Sequence, residues 1–346
     1  RKKSAPPISM SSTENAAAPF AQPDGVMCSA MPDDYQMRVT LNKDGLPMML
    51  LPGRLVLFDN MEQQLDRVAR EVWYPKAGPN ALFQGNWVIN MLADADRYSE
   101  ALNYFKAQLQ NKDVPVFNHP GAVLATRRDR VWQTLSDVPY LTAPKCIRFR
   151  PKHPSDFLKI FENEGFEYPV LIRPAGTHTG KELALIRDRK EWNKLFQMAW
   201  GGRDIYIAQW LDFKSRDGDW RKIRLSITKD EITVRHILYA DSWLIHSTER
   251  DADAAEREIE LIHAADNWDR RQTLGAEIRK RVKMDFFGVD IGWKSDDEFV
   301  LFEANASMSI LTHSKTPLHR REDIENVIAR IGNQVWTAII NRTGIG

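Results

Sequence analysis

Two apolar strands joined by a polar turn are predicted over residues 288–305, Gly288-Val-Asp-Ile-Gly-Trp-Lys-Ser-Asp-Asp-Glu-Phe-Val-Leu-Phe-Glu-Ala-Asn305. If a two-residue turn falls at Asp296-Asp297, strand pairing places Asp290 directly opposite Glu303. Asn305 lies on the same face as Glu303, because side chains alternate along a strand. Like charges that face each other destabilise a sheet, so this arrangement indicates a cation between the two carboxylates.

The predicted cation is magnesium. Carboxylate and amide oxygens suit this hard ion, which usually keeps several waters and binds substrate phosphates, so ATP is the expected partner. An alternative interpretation is a solvated hairpin whose acidic residues bind nothing. Val300, Leu301 and Phe302 favour a buried segment instead, where an unpaired carboxylate would be costly.

Composition is that of an ordinary soluble globular protein. The 346 residues are 43% hydrophobic and 27% charged, enough for two or three subdomains. A net charge of +1 gives no electrostatic case for nucleic acid or a membrane as partner, and no membrane span is apparent. Two cysteines, Cys28 and Cys146, argue against a disulfide framework or a zinc site. We expect a cytoplasmic protein whose oligomeric state, with a homodimer as one option, the sequence leaves open.

The N-terminal part is predicted to be a mobile tail over residues 1–48, rich in Ser, Ala, Pro and Met. The chain opens with Arg1 rather than Met, which is expected of a fragment or a processed form. An α/β pattern follows over 49–143, where apolar runs predict strands at Arg54–Phe58, Asn86–Met91 and Val114–Phe117, with helices over 61–72 and 95–110. Such alternation indicates a small parallel sheet.

Two further units follow, over residues 144–211 and 212–346. After a helix at 127–136, the predicted elements of the first unit are strand Cys146–Phe149, helix 155–164, strands Pro169–Arg173 and 182–186, helix 188–199 and strand Ile205–Gln209. The second unit has a strand pair across 221–228 and 231–239, a polar helical stretch, the hairpin of 288–305 and a helix from Arg321 to Ile340.

The order of these elements resembles the ATP-grasp superfamily, which includes glutathione synthetase and D-alanine–D-alanine ligase. Three stretches carry the resemblance over roughly residues 50–340: Leu171-Ile-Arg-Pro-Ala-Gly-Thr-His-Thr-Gly180, Asp219-Trp-Arg-Lys-Ile-Arg224 and Phe302-Glu-Ala-Asn-Ala306. The resemblance implies a mixed α/β and α+β fold with an N-terminal Rossmann-like subdomain and two α+β subdomains that sandwich Mg-ATP. It also implies an enzyme that joins a carboxylate to an amine.

Residue by residue, the resemblance makes Asp290, Glu303 and Asn305 the ligands of two magnesium ions. The two lysines that bind phosphate in the family are replaced by arginine here, at Arg130 and at Arg173. Arginine keeps the charge and presents a planar fork that suits phosphate, although its geometry differs from that of lysine. Arg127 and Arg128 are close neighbours of Arg130, so the register of the first position stays open.

The loop Ala175-Gly-Thr-His-Thr-Gly180 occupies the place of the family's glycine-rich lid, whose backbone N–H groups cradle phosphate oxygens. An ordinary strand-to-strand turn is the alternative. His178 is a candidate contact to phosphate or substrate, and a structural or solvated histidine is its alternative.

The segment after strand 205–209 resembles the hinge that reads adenine and ribose. Gln209 stands where the family often has glutamate, and Asp212 is a candidate ribose ligand. The alternative for Asp212 is a solvated acid at the end of a buried strand.

Lys222 and Arg224 share one face of their strand, which can serve phosphate. The resemblance favours Arg224 as the catalytic residue that steadies the transferred phosphoryl group, through preorganised charge. A solvated charged face is the alternative. His236, His246 and His313 are candidates for the acceptor pocket, or else polar residues satisfied within the fold.

The function expected from these residues is ATP-dependent ligation of a small-molecule or peptide carboxylate to an amine through an acyl phosphate. Two alternatives stand beside it. One is a phosphotransferase that stops at a phosphorylated product, and the other is a regulatory nucleotide-binding protein without turnover, which arginine at both lysine positions makes plausible.

Overall fold

The structure of the protein is a computed structural model that describes residues 24–41, 44–76, 78, 81–178, 180, 182–245, 252–265, 269–311 and 321–345. Within these ranges, three sheets of four, four and five strands carry the fold, and one two-stranded hairpin stands apart from them. The mixed α/β architecture expected from the sequence is confirmed. None of the helices in these ranges is long and apolar enough to cross a membrane.

The first sheet is parallel, with strand order β4-β1-β5-β6. Its strands are β1 (Gly25–Ala30), β4 (Ala69–Tyr74), β5 (Trp87–Asn90) and β6 (Val116–Phe117). Helices α1 (Asp59–Val68), α2 (Ser99–Gln108) and α3 (Pro120–Ala125) belong to the same part of the chain. Strands covered on both faces read as continuous apolar runs, and this is the pattern of the buried β1 and β5.

β1 corrects the prediction of a mobile tail over residues 1–48. All six of its residues are buried, and it lies between β4 and β5 in the sheet. Residues 38–41 and 47–50 also have regular structure, as the exposed hairpin of β2 (Arg38–Leu41) and β3 (Pro47–Leu50). The short apolar run Gly25-Val-Met-Cys-Ser-Ala30 escaped notice because the composition around it is typical of tails. Residues 1–23 lie outside the described part.

Two further predictions in this region are wrong. Arg54–Phe58 forms no strand, although Arg54 makes an isolated bridge to Leu92 and the alternating Leu55 and Leu57 are buried. The helix predicted over 61–72 ends at Val68, because the chain then enters β4 with Val72 and Trp73, residue types that favour strands. The alternation at 54–58 is therefore real, but the segment buries its leucines without joining the sheet.

The second sheet is antiparallel, with order β10-β9-β11-β8. It contains β8 (Cys146–Phe149), β9 (Val170–Pro174), β10 (Ala184–Ile186) and β11 (Ile205–Gln209), with helix α5 (Ser155–Asn163). The helix predicted over 188–199 is instead a 3₁₀ segment, Arg189–Gln197. A separate apolar core holds this unit together, with Phe157, Ile172 and Ile207 fully buried.

The third sheet has order β13-β12-β14-β15-β7 and is antiparallel except for the last pair. Its strands are β7 (Leu141–Thr142), β12 (Trp220–Thr228), β13 (Ile232–Ala240), β14 (Phe286–Ser295) and β15 (Glu298–Asn305). Helices α4 (Arg128–Thr134), α6 (Ala252–Ala265), α7 (Asp269–Arg281) and α8 (Arg321–Thr343) complete the chain. Because β7 comes from the N-terminal half, the third sheet joins the N-terminal and C-terminal halves of the sequence.

The β14–β15 hairpin contains two irregularities that cancel. Trp293 pairs with Phe299 while Ser295 pairs with Glu298, so Lys294 is an extra residue in β14. Ile291 pairs with Leu301 while Asp290 pairs with Glu303, so Phe302 is an extra residue in β15. The predicted turn and the predicted pairing of Asp290 with Glu303 are both present, because the second bulge restores the register that the first one shifts.

Replacing Gly25 by alanine is expected to lower the free energy of unfolding by about 2 kcal/mol. A Cβ atom at Gly25 would lie 2.3 Å from the indole ring of the buried Trp87. Urea unfolding measures the change. Gly201→Ala is the control, because a Cβ there meets nothing within 4 Å. Equal stability of the two variants would contradict the packing of β1 against β5.

Candidate functional site

A cavity of about 1910 Å³ lies where the three sheets meet. The first sheet contributes Met27, the second contributes Arg173 and Tyr206, and the third contributes Arg224 and Asp290. A pocket of this size exceeds the usual volume of a site for one small molecule, so it has room for more than one ligand. Most of the residues singled out in the sequence line it.

Asp290 is held by two cations. The Arg224 guanidinium donates to both carboxylate oxygens, Nε to Oδ1 at 2.6 Å and Nη2 to Oδ2 at 2.7 Å, and Lys222 Nζ lies 3.4 Å from Oδ2. Asp290 is only 3% exposed. Burial alone would raise its pKa, but the charges of Arg224 and Lys222 outweigh burial and hold the pKa well below its usual range.

Glu303 forms an ion pair with Arg128, whose Nη1 also donates to the carbonyl oxygen of Phe302 at 2.8 Å. Phe302 is the extra residue of the β15 bulge. Burial would raise the pKa of Glu303, and the charge of Arg128 lowers it below the usual range instead. Asp290 and Glu303 therefore face each other in the sheet, as predicted, and each has its own guanidinium.

Arg130 is exposed and does not line the cavity, which corrects its predicted role at the first phosphate position. Arg128 lines the cavity instead. Both residues lie in the first turn of α4, and side chains two positions apart on a helix point about 200° away from each other. The face of α4 that lies toward β15 therefore carries Arg128 and not Arg130.

Arg173 is half-buried, and its guanidinium forms no ion pair with a carboxylate among the described residues. It lies in β9, and its Nη2 donates to the carbonyl oxygen of Thr177. Its Nε is buried without a hydrogen-bond partner in the same part of the chain. Burial, and next the charge of Arg128, lower the pKa of Arg173 to about 10. A cation that is shielded from water and lacks an ion-pair partner is a physical indication that an anion belongs there.

The loop after β9 is docked onto the loop that follows β5. His178 Nε2 lies 2.8 Å from Asp94 Oδ2, and Arg97 Nη2 donates to the carbonyl oxygen of Gly176 at 2.9 Å. Gly176 has φ +71°, a conformation that favours glycine. His178 lines the cavity, but its ring contacts a carboxylate of the first unit. The loop therefore closes one side of the cavity, with Thr179 and Lys181 outside the described residues.

Two buried carboxylates support this docking, and their pKa values move in opposite directions. Burial would raise the pKa of Asp94, but hydrogen bonding with His178 and two backbone N–H groups lowers it. Burial and the neighbouring charge of Asp94 raise the pKa of Asp96, although Tyr206 donates to it at 2.6 Å. No sequence pattern singles out this pair, because aspartate in a loop after a strand is common.

The two residues predicted for the hinge, Gln209 and Asp212, lie in different surroundings. Gln209 lines the cavity, but its side-chain amide donates to the carbonyl oxygens of Glu167 at 2.9 Å and Pro169 at 3.1 Å. Asp212 is exposed, does not line the cavity and accepts a hydrogen bond from the backbone N–H of Lys214. Gln209 therefore lines the cavity, whereas Asp212, the predicted ribose ligand, lies outside it.

An aromatic wall borders the cavity near the hinge, and sequence reasoning did not find it. Trp210, Phe213, Trp243 and Phe302 line this side. The rings of Phe213 and Phe302 lie edge to face, with centroids 4.8 Å apart and planes at 69°. Flat apolar surfaces of this kind suit an aromatic base. The only sequence signal is the high local density of Trp and Phe between residues 210 and 220.

The predicted magnesium ligands line the cavity together, but each already has partners. Asn305 Oδ1 accepts from the backbone N–H and the hydroxyl of Ser307, both at 3.0 Å. No group of three His, Cys, Asp or Glu residues that could hold a metal occurs in the described ranges. The donor oxygens fit magnesium that arrives bound to phosphate. They fit a magnesium ion without phosphate poorly, because arginine and lysine side chains already pair with both carboxylates.

Of the three histidines proposed for an acceptor pocket, only His236 can be placed. It is buried, lines the cavity and pairs with Arg224 in the β12–β13 ladder. His246 and His313 lie outside the described residues.

No protein-family model and no curated protein matches the chain. Solved structures that resemble it include the carboxyaminoimidazole ribonucleotide synthase of Aspergillus clavatus complexed with ATP, with 13% identity, TM-score 0.46, and 79% of this chain and 72% of that chain covered. The VanG D-Ala:D-Ser ligase of Enterococcus faecalis is 13% identical with a TM-score of 0.47, and the match covers 92% of this chain and 99% of that chain. A RimK domain ATP-grasp protein of Sphaerobacter thermophilus is 14% identical with a TM-score of 0.44, and the match covers 89% of this chain and 100% of that chain.

Replacing Arg224 by methionine is expected to lower the free energy of unfolding by about 3 kcal/mol at pH 7, because Asp290 keeps only Lys222 as a partner. The depressed pKa of Asp290 contributes stability above the unfolded pKa of about 4, and this contribution is lost as the pH falls. The difference between variant and wild type should therefore shrink below pH 4 in urea unfolding series.

The control is Arg150→Met, which removes an ion pair with Asp204 from a side chain that is 63% exposed. Its cost should stay below about 1 kcal/mol at every pH. A loss for Arg224→Met that does not depend on pH would contradict the role of the Asp290 charge.

Proposed function

We propose that the protein is an ATP-dependent ligase that joins a carboxylate to an amine through an acyl phosphate. The observation that carries the proposal is the half-buried Arg173, whose guanidinium pairs with no carboxylate within the described residues and whose Nε is buried without a hydrogen-bond partner there. It lies in the same cavity as Arg128, Lys222 and Arg224. A polyanion is the ligand that such a site fits.

The charge balance of this part of the cavity supports a polyphosphate. Four cations, Arg128, Arg173, Lys222 and Arg224, surround two carboxylates, Asp290 and Glu303. The excess of positive charge lies in a largely buried setting, where it is screened less than at the surface. Phosphate oxygens can use the donors that the carboxylates leave open, since a guanidinium has five N–H donors.

The arginines have separate roles in this proposal. Arg128 takes the first phosphate position instead of Arg130, and Arg173 takes the second. Arg224, assisted by Lys222, stabilises the charge that develops on the transferred phosphoryl group. Its position is fixed beforehand by two hydrogen bonds to Asp290, so little reorganisation is needed during the reaction.

The base of the nucleotide is assigned to the aromatic wall. Trp210, Phe213 and Phe302 supply the apolar surface, and backbone groups near Gln209 supply the polar edge. No side chain in the cavity takes over the ribose role of Asp212 in this proposal.

Asp290, Glu303 and Asn305 would hold magnesium together with the phosphates. Magnesium would neutralise phosphate charge as the transferred group moves. With Arg128 and Arg224 already paired to the two carboxylates, we expect the metal to bind with the nucleotide and not before it.

The reaction consists of two successive nucleophilic substitutions, the first at phosphorus and the second at the acyl carbon. A substrate carboxylate oxygen attacks the γ-phosphorus of ATP, the bond to the β-phosphate oxygen breaks, and ADP leaves. A neutral amine then attacks the acyl carbon, inorganic phosphate leaves with the bonding electrons, and the amine nitrogen loses its proton to the departing phosphate or to water. Positioning and fixed positive charge carry both steps, which is why no nucleophilic side chain is required.

One observation favours the alternative of a regulatory nucleotide-binding protein. Both carboxylate oxygens of Asp290 are engaged by Arg224, which is the arrangement of a stable ion pair. A phosphotransferase would use the same cavity, and it differs from a ligase only in the product.

Mg-ATP at about 100 times its Kd is expected to raise the thermal midpoint of the protein by about 5 °C, because the ligand binds only the folded state. Arg128→Met should lose most of the rise relative to its own unliganded midpoint, and Arg128→Lys should keep part of it. Arg130→Met is the control and should respond like the wild type. Equal loss in Arg128→Met and Arg130→Met would contradict the assignment.

Glu303→Gln is expected to separate nucleotide binding from the metal requirement. The substitution releases Arg128 from its ion pair, so the thermal response to ATP alone should persist or grow, while the extra rise that magnesium adds should fall. Turnover is tested by ADP release with hydroxylamine and a panel of carboxylates. A hydroxamate supports a ligase, a stable phosphorylated alcohol supports a phosphotransferase, and binding without ADP release supports a regulatory protein.

A further inference from the structure

The hairpin of β2 and β3 concentrates the exposed apolar surface of the protein. Ten large apolar side chains are exposed in the described part of the chain, and eight of them lie between residues 35 and 50. Every residue of the two strands is exposed. Clusters of this kind are uncommon on monomers and indicate a surface that another molecule covers.

The register of the hairpin divides its side chains between two faces. Val39 pairs with Met49 and Leu41 pairs with Pro47, so these four side chains share one face, which we call the outer face. Val39, Leu41 and Met49 are 69%, 67% and 64% exposed. The outer face is therefore apolar throughout and in contact with water.

The other face of the hairpin, which we call the inner face, belongs to the cavity wall. It consists of Arg38, Thr40, Met48 and Leu50, and all of these except Thr40 line the cavity. Met48 and Leu50 are only 43% and 46% exposed. Of the four outer-face residues, Met49 alone lines the cavity. The outer face therefore lies mostly away from the ligand site.

The hairpin has little to stabilise it within one copy of the chain. Among the described residues, β2 and β3 pair only with each other. A two-stranded hairpin alone in water is marginally stable, and it normally needs further strands or an apolar face packed against another element. The outer face is the surface left to supply that packing.

A second copy of the chain is the partner that fits the charges of the hairpin. Between residues 33 and 50 the sequence has three acids, Asp33, Asp34 and Asp44, and two bases, Arg38 and Lys43. Because this balance is close to neutral, two copies bring little like-charge repulsion together. The same balance gives no basic excess that would draw the hairpin to anionic lipid.

Symmetry and area also favour a second copy. In a two-fold contact, each copy covers the patch that the other exposes, so both patches are buried in one closed dimer. Eight large apolar side chains that are 42–76% exposed supply on the order of 800 Å², the area that each partner buries in a standard interface. Only part of this area lies on the outer face, so we expect a dimer that dissociates at micromolar concentrations.

We infer that the outer face of the β2–β3 hairpin is the interface of a homodimer, in which two hairpins pack face to face about a two-fold axis. The contact holds Arg38, Met48 and Leu50 in the cavity wall of each copy. It needs no nucleotide, so it is tested separately from the proposed function.

Sedimentation velocity of the full chain without nucleotide, over about 0.1–100 µM, tests the interface. The wild type should change from monomer to dimer across this range. Val39→Glu combined with Leu41→Glu should raise the Kd of the dimer about a hundredfold or more, because the glutamates would be buried without partners. Thr40→Glu is the matched control. Thr40 lies between the other two residues but on the inner face, so this variant should dimerise like the wild type.

Cross-linking gives a second measurement that does not depend on loss of association. Sheets packed face to face lie about 10 Å apart, so a bismaleimide of about that span should join two copies of Leu41→Cys. Thr40→Cys should give several-fold less cross-linked dimer. The wild type supplies the background, because Cys28 and Cys146 are both buried.

Three results would overturn the inference: a wild type that stays monomeric over the whole range, a double glutamate variant that dimerises like the wild type, or equal cross-linking of Leu41→Cys and Thr40→Cys. Flotation with phosphatidylcholine vesicles tests the other use of an apolar face. A monomeric wild type that floats with the vesicles, and a double glutamate variant that does not, would assign the outer face to lipid and also overturn the dimer.

Discussion

Two negative charges face each other across a pair of neighbouring strands, and the arrangement of the cavity depends on how they are compensated. Asp290 is neutralised by Arg224 from β12, and Glu303 by Arg128 from α4. An uncompensated buried carboxylate would be costly, so the partner elements must approach the hairpin closely. The same requirement brings together guanidinium groups from separate parts of the chain. The acidic pair that signals a metal in the sequence therefore also acts as the anchor for a cationic site.

The charges that line the cavity differ from one sheet to another, and this difference gives the proposed function its direction. Around the third sheet, cations outnumber carboxylates, and Arg173 lacks an anionic partner within the described residues. In the first unit, Arg54 pairs with Glu71, and Asp59, Glu62 and Asp66 add three more carboxylates to the lining. A polyanion therefore suits the part of the cavity around the third sheet. The loop at 174–178, which follows β9, docks on Asp94 and Arg97 and so links the second unit to the first beside the cavity.

Elements with a strong local pattern were predictable from the sequence, and features that depend on packing were not. The apolar runs of β8 and β11 and the turn of the β14–β15 hairpin have the predicted bounds. The strand β1 was missed because neither its length nor its neighbours separate it from a tail. Arg128 and Arg130 have the same chemistry two positions apart, so only the orientation of α4 distinguishes them. Asp212 shows that position along the chain is not sufficient. It fitted a ribose ligand by position, but its carboxylate accepts a hydrogen bond from the backbone N–H of Lys214.

The extra residue in β15 has a consequence for how one ligand can be recognised. In a regular strand, adjacent side chains point to opposite faces, so Phe302 and Glu303 could not both reach the same cavity. The bulge at Phe302 removes this restriction, and both residues line it. One contacts Phe213 in the aromatic wall and the other contacts Arg128. A single inserted residue thus lets two consecutive positions present an aromatic ring and a carboxylate to the same cavity, and a deletion at this point would turn one of the two side chains away from it.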